Sequence, residues 1–178
     1  MINRLFVILC CKLFLLLATM TAPNADEIRD FGIRVGAGML QGVGDEPLRE
    51  VSVYADMYLL SQQTRMLFGF SLYDTSEVDI PSMSIQSIGL EQNMRLLQGE
   101  VFVGVVYNKS YLKTEGSRYD PRRGESFHLG YKYPVVKYED IVLTIGQQYR
   151  PLNAASPNAS TKLSSKTEYL RLAYQWYF

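Results

Sequence analysis

The feature of this chain that most restricts its fold is an alternation of apolar and polar residues with a period of two, repeated from residue 30 onward. In one segment, Ile141, Leu143 and Ile145 share one face, and Thr144 and Gly146 share the other. This period is typical of β-strands with two different faces, and helical periodicity is almost absent. We expect eight strands, at 31–39, 50–60, 64–73, 84–96, 100–110, 126–135, 140–150 and 169–178.

The links between the predicted strands are alternately long and short. Three are short turns, with the sequences SQQ, LQG and approximately PVVKY. The other four are rich in Gly, Pro, Ser and charge: GVGDEP, DTSEVDIPS, LKTEGSRYDPRRGE and PLNAASPNASTKLSSK. Short turns at one rim and long loops at the other are typical of barrels that cross a membrane. The predicted fold class is therefore all-β, an eight-stranded antiparallel up-and-down transmembrane β-barrel.

Charged residues occupy one face of these strands, and this decides which face points inward. An Arg or Lys near the middle of the lipid layer costs about 2–4 kcal/mol, so the apolar rows should face lipid and the charges should be enclosed. The expected interior polar network consists of Arg34, Asp56, Arg65, Glu91, Arg95, His128, Lys132 and Arg171. We expect a structural network of mutually satisfied ions, with a proton or solute path as the alternative.

The same interior row is rich in residues with little or no side chain. It contains Gly36, Gly38, Gly69, Gly89, Gly104, Gly130, Gly146 and Ala173. Side chains can just fill an eight-stranded barrel, and small residues make room for the Arg, Tyr and Glu beside them. We therefore expect a packed polar interior and no open pore.

The first 25 residues form a separate unit in the sequence. MINR is positively charged and is followed by the apolar run LFVILCCKLFLLLATM, which suits a signal-peptide core and is short for a transmembrane helix. Residues 1–25 are predicted to be a signal peptide and 26–178 the barrel domain, with a retained membrane anchor as the alternative. Both cysteines, Cys10 and Cys11, lie in the first segment, so a processed chain would contain no disulfide.

The last predicted strand, YLRLAYQWYF, ends on its aromatic residues. The pattern of Tyr174, Trp176 and Phe178 resembles the assembly signal of Gram-negative outer-membrane barrels, and the layout is similar to small barrels of the OmpX/Ail and OmpA-transmembrane type. The resemblance implies a location in the outer membrane of a Gram-negative bacterium. It also implies three partners: outer-membrane lipid, lipopolysaccharide and the barrel assembly machinery.

Catalysis is the first alternative, because the chain resembles PagL-type lipid A deacylases in size and strand count. That family is expected to carry a late His-x-Ser, with the two residues acting as base and nucleophile. Gln147 and Tyr149 stand at the comparable positions here, and the one histidine, His128, follows Ser126 in the reverse order on the inner row. A lipid A-modifying acyl hydrolase therefore remains an alternative, and enzyme activity is not the favoured prediction.

A soluble lipocalin-like ligand carrier is the second alternative, with apolar rows inside and charged rows in water. It leaves many glycines on the outer surface and gives no reason for the terminal Phe or for the loop asymmetry. The favoured function is a non-catalytic outer-membrane barrel with a surface, envelope-integrity or interaction role.

Partner and cofactor predictions complete the analysis. The equal numbers of basic and acidic residues, 18 each, give no basis for nucleic-acid binding. No metal-ligand pattern or phosphate-binding glycine loop occurs, so no cofactor or metal is expected, and a monomer is expected. Arg122 and Arg123 follow Pro121 at a predicted turn, where a basic loop tip could contact lipopolysaccharide phosphates.

Overall fold

The computed structural model describes residues 30–41, 47–61, 63–74, 82–113, 120–149 and 166–178. These residues form eight strands: β1 Phe31–Gln41, β2 Leu48–Ser61, β3 Thr64–Asp74, β4 Ser82–Leu96, β5 Gly99–Lys113, β6 Asp120–Val136, β7 Glu139–Tyr149 and β8 Lys166–Tyr177. Within the described ranges there is no helix long and apolar enough to cross a membrane. The predicted signal segment 1–25 and most of the predicted long loops lie outside these ranges.

The strands form a closed cylinder in which each one pairs antiparallel with its neighbours in sequence, and β1 pairs with β8. The closing register runs from Gly32 opposite Tyr177 to Gln41 opposite Glu168. A closed ladder leaves no strand edge with unpaired backbone groups, which is the requirement for a sheet in hydrocarbon. The predicted all-β, eight-stranded, up-and-down topology is confirmed.

The two faces of the sheet separate by polarity as the alternation predicted. Side chains of the apolar rows point outward, and Val51, Leu143 and Leu172 remain 60%, 47% and 58% exposed. Polar residues on the opposite rows are enclosed, with Asp56 and Lys132 both 0% exposed. A protein dissolved in water gains stability by the reverse arrangement, whereas an outward apolar band suits a lipid surround.

Four interior aromatic rings each lie over a glycine directly opposite on the neighbouring strand. The pairs are Tyr54 with Gly69, His128 with Gly104, Phe102 with Gly130, and Tyr169 with Gly146. At Gly69, an added methyl carbon would stand 2.0 Å from Cε1 of the Tyr54 ring. Glycine is required here because the ring occupies the space that any side chain would need. The small residues of the inner row thus give room to specific partners.

The β5–β6 hairpin is longer than the sequence suggested. Its ladder continues through Tyr111 opposite Pro121 and Leu112 opposite Asp120. The prediction that Arg122 and Arg123 lie on a loop is therefore wrong, because β6 already begins at Asp120. The apolar alternation marks where lipid ends, whereas backbone pairing can continue beyond that level among polar residues.

Candidate functional site in the barrel interior

The interior encloses charged side chains of both signs in equal number. The buried cations are Arg34, Arg65, Lys132 and Arg171, and the buried anions are Glu50, Asp56, Glu91 and Asp140. The formal charges of these eight side chains cancel. Since an unpaired ion in a low-dielectric interior is costly, this balance is what a stable polar core requires.

Glu91 is the centre of the larger cluster. Nη1 and Nη2 of Arg34 each donate to one Glu91 carboxylate oxygen at 3.0 Å. His128 Nε2 lies 3.0 Å from Oε1 of Glu91, and Lys132 Nζ lies 3.6 Å from Oε2. No two of β1, β4 and β6 are neighbours in the cylinder. These contacts therefore cross the lumen and connect separate parts of the barrel wall.

Asp56 extends this cluster toward the rim with the short turns. Its Oδ1 lies 2.7 Å from Nη2 of Arg65, and its Oδ2 accepts from Arg34 Nη2 at 3.4 Å and from the Gln175 amide. The Arg65 guanidinium carbon lies 4.5 Å from the Tyr58 ring centre and 4.9 Å from that of Tyr177. Arg65 therefore combines an ion pair with contacts to two aromatic faces at that end.

A second, smaller cluster lies nearer the loop end. Arg171 donates to Glu50 from Nη2 at 2.5 Å and from Nε at 3.3 Å. Its guanidinium carbon lies 4.6 Å from the Tyr54 ring centre and 5.1 Å from that of Tyr169. Tyr73 is also buried at this level. Each cluster therefore contains an arginine that pairs with a carboxylate and packs against two tyrosine rings.

A small polar cavity separates the two clusters. Ser87 donates to Asn108 Oδ1 at 2.8 Å, and Asn108 Nδ2 donates to Ser126 at 3.0 Å along one wall. Thr144 also lines it, is 1% exposed, and its hydroxyl makes no hydrogen bond within the described part of the chain. Toward the loop end, a buried apolar group of Leu40, Leu48, Tyr73, Met83, Ile85 and Tyr169 lies inside the barrel. The cavity is thus bounded by packed side chains at both levels.

Seven of the eight residues predicted for the interior are buried there: Arg34, Asp56, Arg65, Glu91, His128, Lys132 and Arg171. Arg95 is not brought into the cluster. It belongs to the inward-facing row of β4, but its side chain is exposed because the cylinder ends beside it, at the turn at Leu97. Glu50, Asp140 and Gln175 belong to the interior and were missed, although each shares the parity of a predicted inner row.

Ser126 and His128 are held apart by other partners. The Ser126 hydroxyl accepts from Asn108, whereas His128 contacts Glu91 and packs edge-on against Phe102 at 5.7 Å between ring centres. Both are buried inside the cylinder. Within the described ranges, no group of three or more His, Cys, Asp or Glu side chains is placed to hold a metal ion.

Two residues of the predicted assembly signal, Tyr174 and Trp176, lie on the outer face of β8, and Phe178 directly follows the strand. The Tyr174 and Trp176 rings are 4.8 Å apart, and the Tyr174 hydroxyl donates to Glu139. Phe178 is 72% exposed, and its ring centre lies 6.3 Å from that of Phe31. The three aromatics therefore form an outward row at the rim with the short turns.

Solved structures with the same fold include outer-membrane barrels and a designed transmembrane barrel. The N-terminal β-barrel domain of Pseudomonas aeruginosa OprF aligns with a TM-score of 0.62 at 10% identity, over 84% of this chain and 98% of that one. Neisserial surface protein A aligns with a TM-score of 0.60 at 12% identity, over 83% and 97%. A de novo designed transmembrane β-barrel gives 0.58 at 10% identity, over 86% and 98%.

In sequence, no protein-family profile and no curated protein matches the chain. The structural likeness is therefore a likeness of fold. The chain has the fold of the small eight-stranded outer-membrane β-barrels, which agrees with the class that its sequence resembled.

Proposed function

We propose that this protein is a non-catalytic, monomeric barrel of a Gram-negative outer membrane that serves the envelope or its surface. The observation that carries the proposal is the separation of the two faces: interior ions paired across the lumen, and an outward apolar band. Placing this band in water would expose many large apolar side chains at once, whereas lipid covers them. A soluble carrier would need the opposite arrangement of the two faces.

Tight packing of the interior supports a structural role for the polar network. Arg34, Glu91 and Phe102 are enclosed at mid-height, with Arg34 2% and the other two 0% exposed. The ion pairs across the lumen connect strands that are not neighbours in the sheet. Such a cylinder is a rigid platform, and on rigid platforms the variable loops usually carry recognition.

The positions of Ser126 and His128 favour the non-catalytic reading over lipid A hydrolysis. An acyl hydrolase needs a base in hydrogen-bond reach of its nucleophile and a site that a lipid chain can enter. Here the two side chains bind Asn108 and Glu91 instead, inside a lumen away from the lipid-facing surface.

The outward row of Tyr174, Trp176 and Phe178 suits recognition by the barrel assembly machinery. These side chains stay accessible because β8 turns them away from the lumen, while its backbone pairs with β1 and β7. The outer-membrane lipid and lipopolysaccharide would then surround the folded barrel.

The test is to fractionate expressing cells and examine the protein on gels with and without heating. An outer-membrane product that migrates differently when unheated is expected, because closed barrels stay folded in detergent. Spin labels at Leu143→Cys and Thr144→Cys make a matched pair of adjacent sites, one 47% and one 1% exposed. Oxygen should relax the first label strongly and the second weakly.

A soluble periplasmic product, or equal relaxation of the two labels, would contradict the proposal. Lipid A mass spectra from cells with and without the gene address the enzymatic alternative. An acyl chain lost only when the protein is present would show that the barrel is catalytic.

A further inference from the structure

The outer face of the β5–β6 hairpin carries two cations directly opposite each other. Lys109 on β5 is the register partner of Arg123 on β6, and both residues belong to the outward-facing rows of their strands. Like charges at directly opposed positions destabilise a sheet. An arrangement of this kind is favourable when an anion binds between the two cations.

A second rim position shows the contrast. On the β2–β3 hairpin, at the same end of the barrel, the outward Arg49 is the register partner of Asp74. On β2–β3 a cation therefore lies opposite a carboxylate, whereas on β5–β6 two cations lie opposite each other. The carboxylate nearest on the outer face of β6 is Glu125, whose register partners are Tyr107 and Tyr149. No ion pair joins it to Lys109 or Arg123 within the described ranges.

Neighbouring side chains leave both cations accessible from outside. Lys109 Nζ lies 5.1 Å from the ring centre of Tyr111, whose hydroxyl donates to Gln86 Oε1 at 3.2 Å. Arg123 is exposed and makes no hydrogen bond or ion pair within the described residues. Its planar guanidinium can therefore offer two parallel donors to an oxyanion, beside the ammonium of Lys109.

The height of the pair on the cylinder identifies the anion. A tilted strand advances roughly 2.5 Å along the barrel axis per residue, so Lys109 lies about 30 Å from the turn at Leu97. The outward apolar band of such barrels is about 25 Å tall, which places Lys109 and Arg123 just beyond it. The charged groups of lipid headgroups are found at this level.

We infer that Lys109 and Arg123 form a binding site for the phosphate of an outer-leaflet lipid headgroup, with lipopolysaccharide as the source. The inference rests on the proposed membrane location. Tyr107 and Tyr111 border the site on the same strand face and suit the boundary between hydrocarbon and headgroups.

The experiment measures lipid retained by the refolded barrel in uncharged detergent, using native mass spectrometry. The probes are bisphosphorylated lipid A, the same lipid with both phosphates removed, and inorganic phosphate as a competitor. Every variant is first shown to be folded by its heat-dependent gel shift, so a failure of lipid binding is separable from a failure of the barrel itself.

The double variant Lys109→Gln/Arg123→Gln should weaken binding of the bisphosphorylated lipid about tenfold or more, since two charge-assisted contacts are lost. The matched control Arg49→Gln removes a rim cation that already faces a carboxylate and should leave binding unchanged. Arg123→Glu separates the site from ordinary surface charge. It should abolish lipid binding while preserving or raising stability, because Lys109 then faces an anion.

Three results with the variants and the lipid probes would each overturn the inference. These are equal binding by the double variant and the wild type, equal losses in Arg49→Gln and the double variant, or equal retention of the dephosphorylated lipid. Displacement of the lipid by an equimolar concentration of inorganic phosphate would also overturn it, because the site would then recognise free phosphate and not a headgroup.

Discussion

Arg34 on β1 and Glu91 on β4 face each other across the barrel interior and are joined by two hydrogen bonds of 3.0 Å each. Since the strands that carry them are not neighbours, backbone pairing does not hold these two residues together. The pair is a side-chain connection across the lumen, and the stability of the cylinder should depend on it.

Replacing Glu91 by Gln tests this dependence. The variant removes the carboxylate that pairs with Lys132 and the nearer of the two that pair with Arg34, whose other partner is Asp56. Breaking a buried ion pair by removing one partner costs about 3–5 kcal/mol. Urea unfolding of the refolded barrel, followed by the fluorescence of Trp176, measures the change. Trp176 is the one tryptophan of the chain and lies on the outer face.

The matched control for this experiment is Glu125→Gln, which removes an exposed carboxylate from the outer face. Surface substitutions of this kind usually change stability by no more than about 0.5 kcal/mol. Similar unfolding curves for the two variants would mean that Glu91 does not hold the interior together.

Gly69→Ala tests the pairing of glycines with aromatic rings. The added methyl group would collide with the Tyr54 ring, and overpacking of this kind costs about 1–3 kcal/mol. Combining it with Tyr54→Ala should remove the collision, so the second change should cost less in the Gly69→Ala background than in the wild type. Strictly additive costs would show that the ring does not require the glycine.

A charge scan of the outer face tests the lipid-facing surface. Leu143→Arg places a guanidinium in the middle of β7 and should destabilise the barrel in bilayers by roughly 2–4 kcal/mol, whereas Val136→Arg near the turn should cost about 0–1 kcal/mol. Both positions carry exposed apolar side chains in the native protein. Equal costs at the two depths would contradict a membrane-spanning orientation.

Phe178→Ala separates assembly in cells from stability. The Phe178 backbone N–H donates to the Phe31 carbonyl at 2.9 Å, and this bond is kept in the variant. We expect a severalfold smaller heat-modifiable fraction in cells and an unchanged unfolding midpoint after refolding in detergent. Leu97→Ala is the control, since Leu97 is also an exposed apolar residue at that rim, at 87%. Equal assembly of the two variants would exclude Phe178 from the signal.

The orientation of nearly every strand face was predictable from the sequence because the alternation has a single physical cause. A row holding Val51 and Val53 cannot share a surface with Asp56 when one face meets lipid and the other an enclosed polar core. The same reasoning placed His128 and Lys132 inside. A residue's odd or even position along a strand is therefore enough to predict whether its side chain points into or out of the barrel. No knowledge of tertiary contacts is needed.

Contacts across the lumen could not be predicted in this way. Which carboxylate reaches Arg34 depends on the stagger between strands as the sheet closes, and a periodic pattern does not contain that stagger. Arg95 was wrongly predicted to be enclosed for a related reason. It belongs to an inward-facing row, but the cylinder ends beside it. Arg122 and Arg123 show the opposite error, because hydrogen bonding extended the hairpin past the last apolar residue.

The register between β1 and β8 also means that a shortened chain cannot close into a cylinder. The first strand of the cylinder pairs with the twelve-residue β8, the eighth of the eight strands. Until that strand arrives, one flank of β1 has no neighbour, whichever of the intervening hairpins have already formed. A chain that stops before β8 would therefore remain an unsealed sheet, with one flank of β1 open.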